Sequence, residues 1–102
     1  MDKLNAYREA VKGTLTEFTR GGYLPPQYLK DVTLFDETED RYAVITQGWD
    51  KGEYVNELTA EIDIIEEKVY IKLNTTDVNL RQMLVKNGIN EKDIETAYLQ
   101  KA

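Results

Sequence analysis

The sequence predicts an α+β fold: an N-terminal helix packed on a four-stranded antiparallel meander, followed by two short C-terminal helices. Three observations predict it. An apolar stripe of helical period opens the chain, four runs of strand period follow with short polar turns between them, and two capped helical segments close it. A length of 102 residues matches one domain and is too short for two that each bury a core, so 1-102 reads as a single unit.

From Asp2 to Thr19, the residues Leu4, Tyr7, Val11, Leu15 and Phe18 recur at steps of three and four, one stripe of an amphipathic helix. Asp2 is placed to cap its start and Gly21-Gly22 to stop it. The stretch Gly21 to Lys30 holds both prolines, Pro25-Pro26, and reads as an extended connector whose Tyr23, Leu24, Tyr28 and Leu29 cover an end of the core.

Val32–Phe35 and Tyr42–Gln47 flank the polar turn Asp36-Glu37-Thr38-Glu39-Asp40, which is hairpin spacing. The run Tyr54–Ile65 alternates most clearly. Leu58, Ala60, Ile62 and Ile64 fall on a core face, and Glu57, Thr59, Glu61 and Asp63 on a solvated one. Val69–Leu73 repeats the alternation after a tight turn at Glu66-Glu67, and short turns imply antiparallel pairing. The first helix is the available cover for the one apolar face. Thr75 or Thr76 can cap a helix from Asp77 to Asn87 that buries Leu80, Met83 and Leu84 and stops at Gly88; Asn90 can cap a last one, Glu91 to Leu99.

The chain has 13 basic and 19 acidic side chains, a net charge of −6, and neither histidine nor cysteine. That excludes Ser-His-Asp and Cys-His nucleophiles, imidazole or thiolate zinc sites and imidazole proton shuttles, so an enzyme is not expected. A composition 41% hydrophobic and 31% charged is that of a soluble globular protein, and without an apolar leader or span the expected location is cytoplasmic. The charge is uneven: residues 1–30 sum to +2, residues 31–67 to −10 and residues 68–102 to +2.

The acidic turn Asp36, Glu37, Glu39 and Asp40 could gather oxygen ligands, but it lacks the glycine of a calcium loop and reads as a solvated turn, so no metal or cofactor is assigned. Glu57, Glu61 and Asp63 stand at strand spacing on one face; a half-exposed sheet face looks the same, and acid–base work would need a pocket that separates their pKa values. Trp49, in Gly48-Trp49-Asp50-Lys51-Gly52, is expected to fold back and cap the core; the alternative is an exposed anchor for a partner. Seven tyrosines could stack bases, but Tyr42 and Tyr54 lie in the acidic third, where phosphates are repelled.

Over nearly its whole length the chain resembles the XisI family, the fdxN element excision controlling factors of cyanobacteria. The residues that carry the resemblance are Leu4 through Tyr7-Arg8, Asp36 through Tyr42, Gly48-Trp49, Ile62-Asp63-Ile64, Lys68 through Ile71, Gly88-Ile89-Asn90 and Lys92-Asp93-Ile94. The chain departs from the family pattern at Glu61, where a histidine is common, at Glu67, where a glycine precedes the family lysine, at Asn74-Thr75, where Asp-Gly stands, and in lacking the family tail after Ala102. The resemblance implies an α+β fold and a part in controlling excision of a DNA element, beside a recombinase and a companion XisH protein.

The resulting expectation is a non-enzymatic regulator that binds an XisH-like, nuclease-type partner through its acidic middle third, with Trp49, Glu57, Glu61, Asp63, Asp36, Glu37, Glu39 and Asp40 as contacts. The alternative is a direct DNA-binding recombination accessory factor, which would need Arg81, Lys86 and Lys92 to form a basic face. A third reading, a carboxylate-using enzyme, would need a pocket that brings two acids together. Unpaired edge strands would also permit a homodimer.

Overall fold

The Asp2 carboxylate accepts from the Asn5 amide at 2.7 Å and so starts helix α1, Lys3–Glu17, as the sequence predicts. The α-helical turns end at Glu17, and a π-helical turn, Phe18–Gly22, carries the chain on to the glycine pair. The structure, a computed structural model, describes residues 2–22 and 29–96; residues 23–28 of the expected proline connector, with Tyr23, Leu24 and Tyr28, lie outside them, while its Leu29 and Lys30 already belong to the first strand. No helix among the described residues is long and apolar enough to cross a membrane.

Strands β1 (Leu29–Asp36), β2 (Arg41–Asp50), β3 (Glu53–Ile65) and β4 (Lys68–Asn74) pair antiparallel in chain order, the expected meander. A fifth strand, β5 (Ile94–Thr96), corrects the four-stranded antiparallel expectation: it lies parallel to β4, in the order β1-β2-β3-β4-β5, and makes the sheet mixed. A parallel pair needs a crossover, and helix α2, Leu80–Lys86, supplies it.

The expected last helix therefore does not form within the described residues. Asn90 caps only a 3-10 turn, Glu91–Asp93, and the Asp93 carboxylate is occupied by the Tyr7 hydroxyl at 2.6 Å and by Lys3 at 2.9 Å. Buried Ile94 then pairs with Val69 on the open edge of β4. Residues 97–99 of the expected helix fall outside the description. Helix α2 also starts later than expected. Asn74 accepts from the Thr76 amide and hydroxyl and donates to the Val78 carbonyl, which holds 74–78 as a turn and leaves Asn79 to cap the helix. Its end is as predicted: Gly88, at φ 107°, lets the Ile89 amide reach the Leu84 carbonyl at 3.0 Å, and Leu80 and Leu84 are buried.

Both helices lie on one sheet face. Tyr7, Val11, Leu15 and Phe18 pack with Leu80 and Leu84 over Tyr42, Val44, Ala60, Ile62, Val69 and Ile71. A bulge alters the predicted alternation of β3. Val44 pairs with Ala60 but Ile45 with Leu58, so Thr59 is the extra residue. Ala60, Ile62 and Ile64 are core as expected, but Leu58 sits opposite Ile45 and is 40% exposed, while Thr59 is buried at 2.5 Å from the Thr46 hydroxyl.

The β3–β4 turn places Glu66 and Glu67 at φ 52° and 63°. That left-handed pair suits the twist of a two-residue hairpin but penalises a Cβ. Glu67→Gly is expected to raise stability by about 1 kcal/mol, read by urea denaturation.

Candidate functional site

The eight acidic and aromatic residues singled out in the sequence separate into three places. The turn Asp36–Asp40 is pinned to α1. Asp36 Oδ1 accepts the amides of Thr38 at 2.9 Å and Glu39 at 3.2 Å, and Glu37 pairs with Lys12. Asp40 takes the Arg8 guanidinium on both oxygens, at 2.8 and 3.1 Å, and the Tyr42 hydroxyl at 2.7 Å. The Arg8 hydrogen bonds hold the Asp40 carboxyl below its usual range, while burial and then Asp40 push the Tyr42 hydroxyl up. Among the described residues only Glu39 of this turn's four acids has a carboxylate in no ion pair or hydrogen bond. Residues 36–39 are exposed, as a solvated turn requires, but Arg8 and Lys12 of α1 pair with two of its acids and offset two of the charges of the −10 middle third.

Glu61 and Asp63 stand on the sheet face away from the helices, as the alternation predicts, but they are not solvated: they are 9% and 5% exposed. Arg41 from β2 reaches Glu61 at 3.1 Å and Asp63 at 3.8 Å, and Lys72 from β4 reaches Asp63 at 3.3 Å. Asp63 Oδ1 is buried without a hydrogen-bond partner. Burial, then the hydrogen bond and charge of Glu61, push Asp63 up to about 6. Burial also pushes on Glu61, but the hydrogen bonds of Asp63 and Arg41 outweigh it and hold that carboxyl below its usual range. Two acids do come together, with Arg41 shared between them and Lys72 on Asp63, and Asp63 is buried beneath them. The arrangement is a four-charge clasp across β2, β3 and β4, with Asp63 out of reach of a substrate.

The third place is the end of the β2–β3 hairpin. Lys51 and Gly52, at φ 53° and 83°, make a two-residue turn between paired Asp50 and Glu53, and the next pair is Trp49 and Tyr54. Trp49 is not folded onto the core as expected. Strand β2 runs on to Asp50, and alternation carries Trp49 to the face of Ala43 and Ile45. It is 65% exposed and meets Tyr54, 55% exposed, edge to face at 5.3 Å. Asp50 and Glu53, the next pair toward the turn, and Glu57, opposite Thr46, alternate to the other face of the hairpin from the rings, and none of the three has an ion pair among the described residues. Tyr54, Asp50 and Glu53 were not singled out from the sequence. Counting outward from a Lys51-Gly52 turn would have paired them.

Of the basic face required for direct DNA contact, Lys86 is engaged by Glu17 at 2.8 Å, and Arg81 by the Ile94 carbonyl at 3.2 Å and the Glu91 side chain at 3.7 Å. Lys92 alone of the three has no ion pair among the described residues.

The fold is shared with two solved structures. The fdxN element excision controlling factor XisI from Anabaena variabilis ATCC 29413 superposes with a TM-score of 0.78 at 24% identity, over 95% of this chain and 93% of that one. A XisI-like protein from the same organism gives 0.77 at 24% identity, over 92% and 84%. No curated protein matches the sequence. The XisI protein family itself matches residues 1–102, and the chain therefore belongs to the XisI family.

Proposed function

We propose that this chain is a non-enzymatic controlling factor in excision of a DNA element, and that it acts by protein–protein contact with an XisH-like, nuclease-type partner through the end of the β2–β3 hairpin. Membership of the XisI family and the name of the solved relative, an excision controlling factor, support the role. The single observation that carries the site is the exposed Trp49, set edge to face with the exposed Tyr54 at the end of the hairpin. Tryptophan and tyrosine supply a large contact area at little entropic cost, and their faces attract arginine and lysine. Asp50, Glu53 and Glu57, carboxylates of the same hairpin without an ion pair, steer a basic, nucleic-acid-binding surface toward the hairpin end and repel a phosphate backbone, so DNA is reached through the partner. Of the expected contacts this reading retains Trp49 and Glu57; it leaves out Glu61, Asp63, Asp36, Glu37 and Asp40, whose carboxylates are engaged within the chain, and Glu39, which stands apart in the Asp36–Asp40 turn.

The test is an equilibrium titration of the purified XisH-like partner. Trp49→Ala is expected to weaken binding at least tenfold, roughly the loss of an interface anchor, with the melting curve unchanged because the ring is exposed. Equal affinity for wild type and variant would contradict the reading. A gel shift with this chain alone at about 50 mM salt, where phosphate contacts are strongest, is expected to show no DNA complex.

A further inference from the structure

The sheet has a second face that no described helix covers. On it Ile45 lies between Val32 of β1 and Leu58 of β3, and Ala43 between Leu34 and Glu61. Leu34 is 52% and Leu58 40% exposed, so branched aliphatic side chains stand in water where the predicted alternation would place polar ones. Leu34, Ala43, Ile45 and Leu58 line a shallow cavity of about 370 Å³ with Arg41 and Glu61 at its rim. Exposed apolar surface grouped in this way and bordered by charges is the make-up of an interface.

The charges on this face say which partner fits. Arg41, Lys72 and Lys68 are balanced there by Glu61, Asp63 and Glu95, all joined in ion pairs. The face is thus locally neutral in a chain of net charge −6. A strongly basic or strongly acidic partner gains no long-range attraction from it. A second copy, repelled elsewhere by like charge, meets no net repulsion here, and the alternation of signs through Arg41, Glu61, Asp63 and Lys72 is self-complementary. Five strands about 4.8 Å apart, of 8, 10, 13, 7 and 3 residues and so averaging about eight, at about 3.3 Å rise offer a projected area near 600 Å². Side-chain relief brings this toward the roughly 800 Å² per partner of a stable interface.

We propose that this face joins two copies of the chain in a sheet-on-sheet homodimer, with Leu34, Ile45 and Leu58 at its centre. Trp49 and Tyr54 lie farther along the same face but do not line the cavity, so substitutions at Leu34 and Leu58 leave the hairpin-end rings in place. Sedimentation equilibrium decides it. The wild-type chain is expected to show a reversible dimer at micromolar to millimolar concentration, and Leu34→Lys with Leu58→Lys to weaken it about a hundredfold with an unchanged melting curve. Should the double variant fail to fold, Leu34→Lys alone, at the more exposed position, is expected to weaken the dimer about tenfold. A wild-type chain that stays monomeric up to about 1 mM, or a folded variant that dimerises as tightly as wild type, overturns the proposal.

Discussion

Replacing Tyr42 with alanine is expected to destabilise the chain by about 3–5 kcal/mol, measured as the shift of the urea midpoint at constant slope. The ring is fully buried and packs at 5.8 Å from that of Phe35. Its removal leaves a cavity beneath α1 that neighbours on a hydrogen-bonded sheet close only in part. The hydroxyl adds a second loss, since it donates to Asp40, the same carboxylate that receives Arg8 from α1. Tyr42→Phe isolates this part and is expected to cost about 1–2 kcal/mol, a hydrogen bond to a charged acceptor. An alanine variant within about 1 kcal/mol of wild type would show that the ring does not sit in the core.

The second large effect is a gain of stability, from Asp63→Asn at neutral and alkaline pH. Burial and Glu61 raise the Asp63 carboxyl from 3.8 to about 6, so between those values the native state holds a proton that the unfolded chain has released. The contribution of Asp63 is therefore fully present below about pH 4, is lost as pH rises through 6, and above that leaves a buried charge that the Arg41 and Lys72 pairs only partly offset. Asparagine keeps the shape of the protonated acid and removes the charge. The variant is expected to match wild type near pH 4 and to exceed it at pH 8 by about 1–3 kcal/mol. Asp40, Glu17 and Asp93, held below their usual range chiefly by hydrogen bonds to Arg8, Lys86 and Tyr7 respectively, act in the opposite sense and lose their contributions as pH falls. They cancel in the wild-type-minus-variant difference, which is why the difference is the quantity to measure. A variant less stable than wild type at pH 8 would mean that the ion pairs outweigh the desolvation.

Features of the fold that depend on near neighbours were legible in the sequence. The stripe Leu4 to Phe18 marked α1 and its buried side, and the alternation of Ala60, Ile62 and Ile64 marked the covered face. What the sequence concealed is non-local. The three residues of β5 carry no period, and only the open edge of β4 beside Val69 makes Ile94 a strand residue. One extra residue at Thr59 turns Leu58 from core to solvent, which a count by twos cannot register. Glu61 and Asp63 look solvated until Arg41 and Lys72 arrive from neighbouring strands, and the acidic turn looks free until Arg8 and Lys12, one helical turn apart, reach it. For the site, Trp49 and Glu57 were visible as residue types. The meeting of Trp49 with Tyr54 waited on the hairpin register.

Hydrogen–deuterium exchange along the chain, with and without the purified XisH-like partner, tests the central claim most directly. Slowed exchange is expected only at the hairpin end, Gly48 through Glu57, with exchange unchanged in the Asp36–Asp40 turn and the two helices. Slowing in that turn or in the helices, with the hairpin end unchanged, would contradict it.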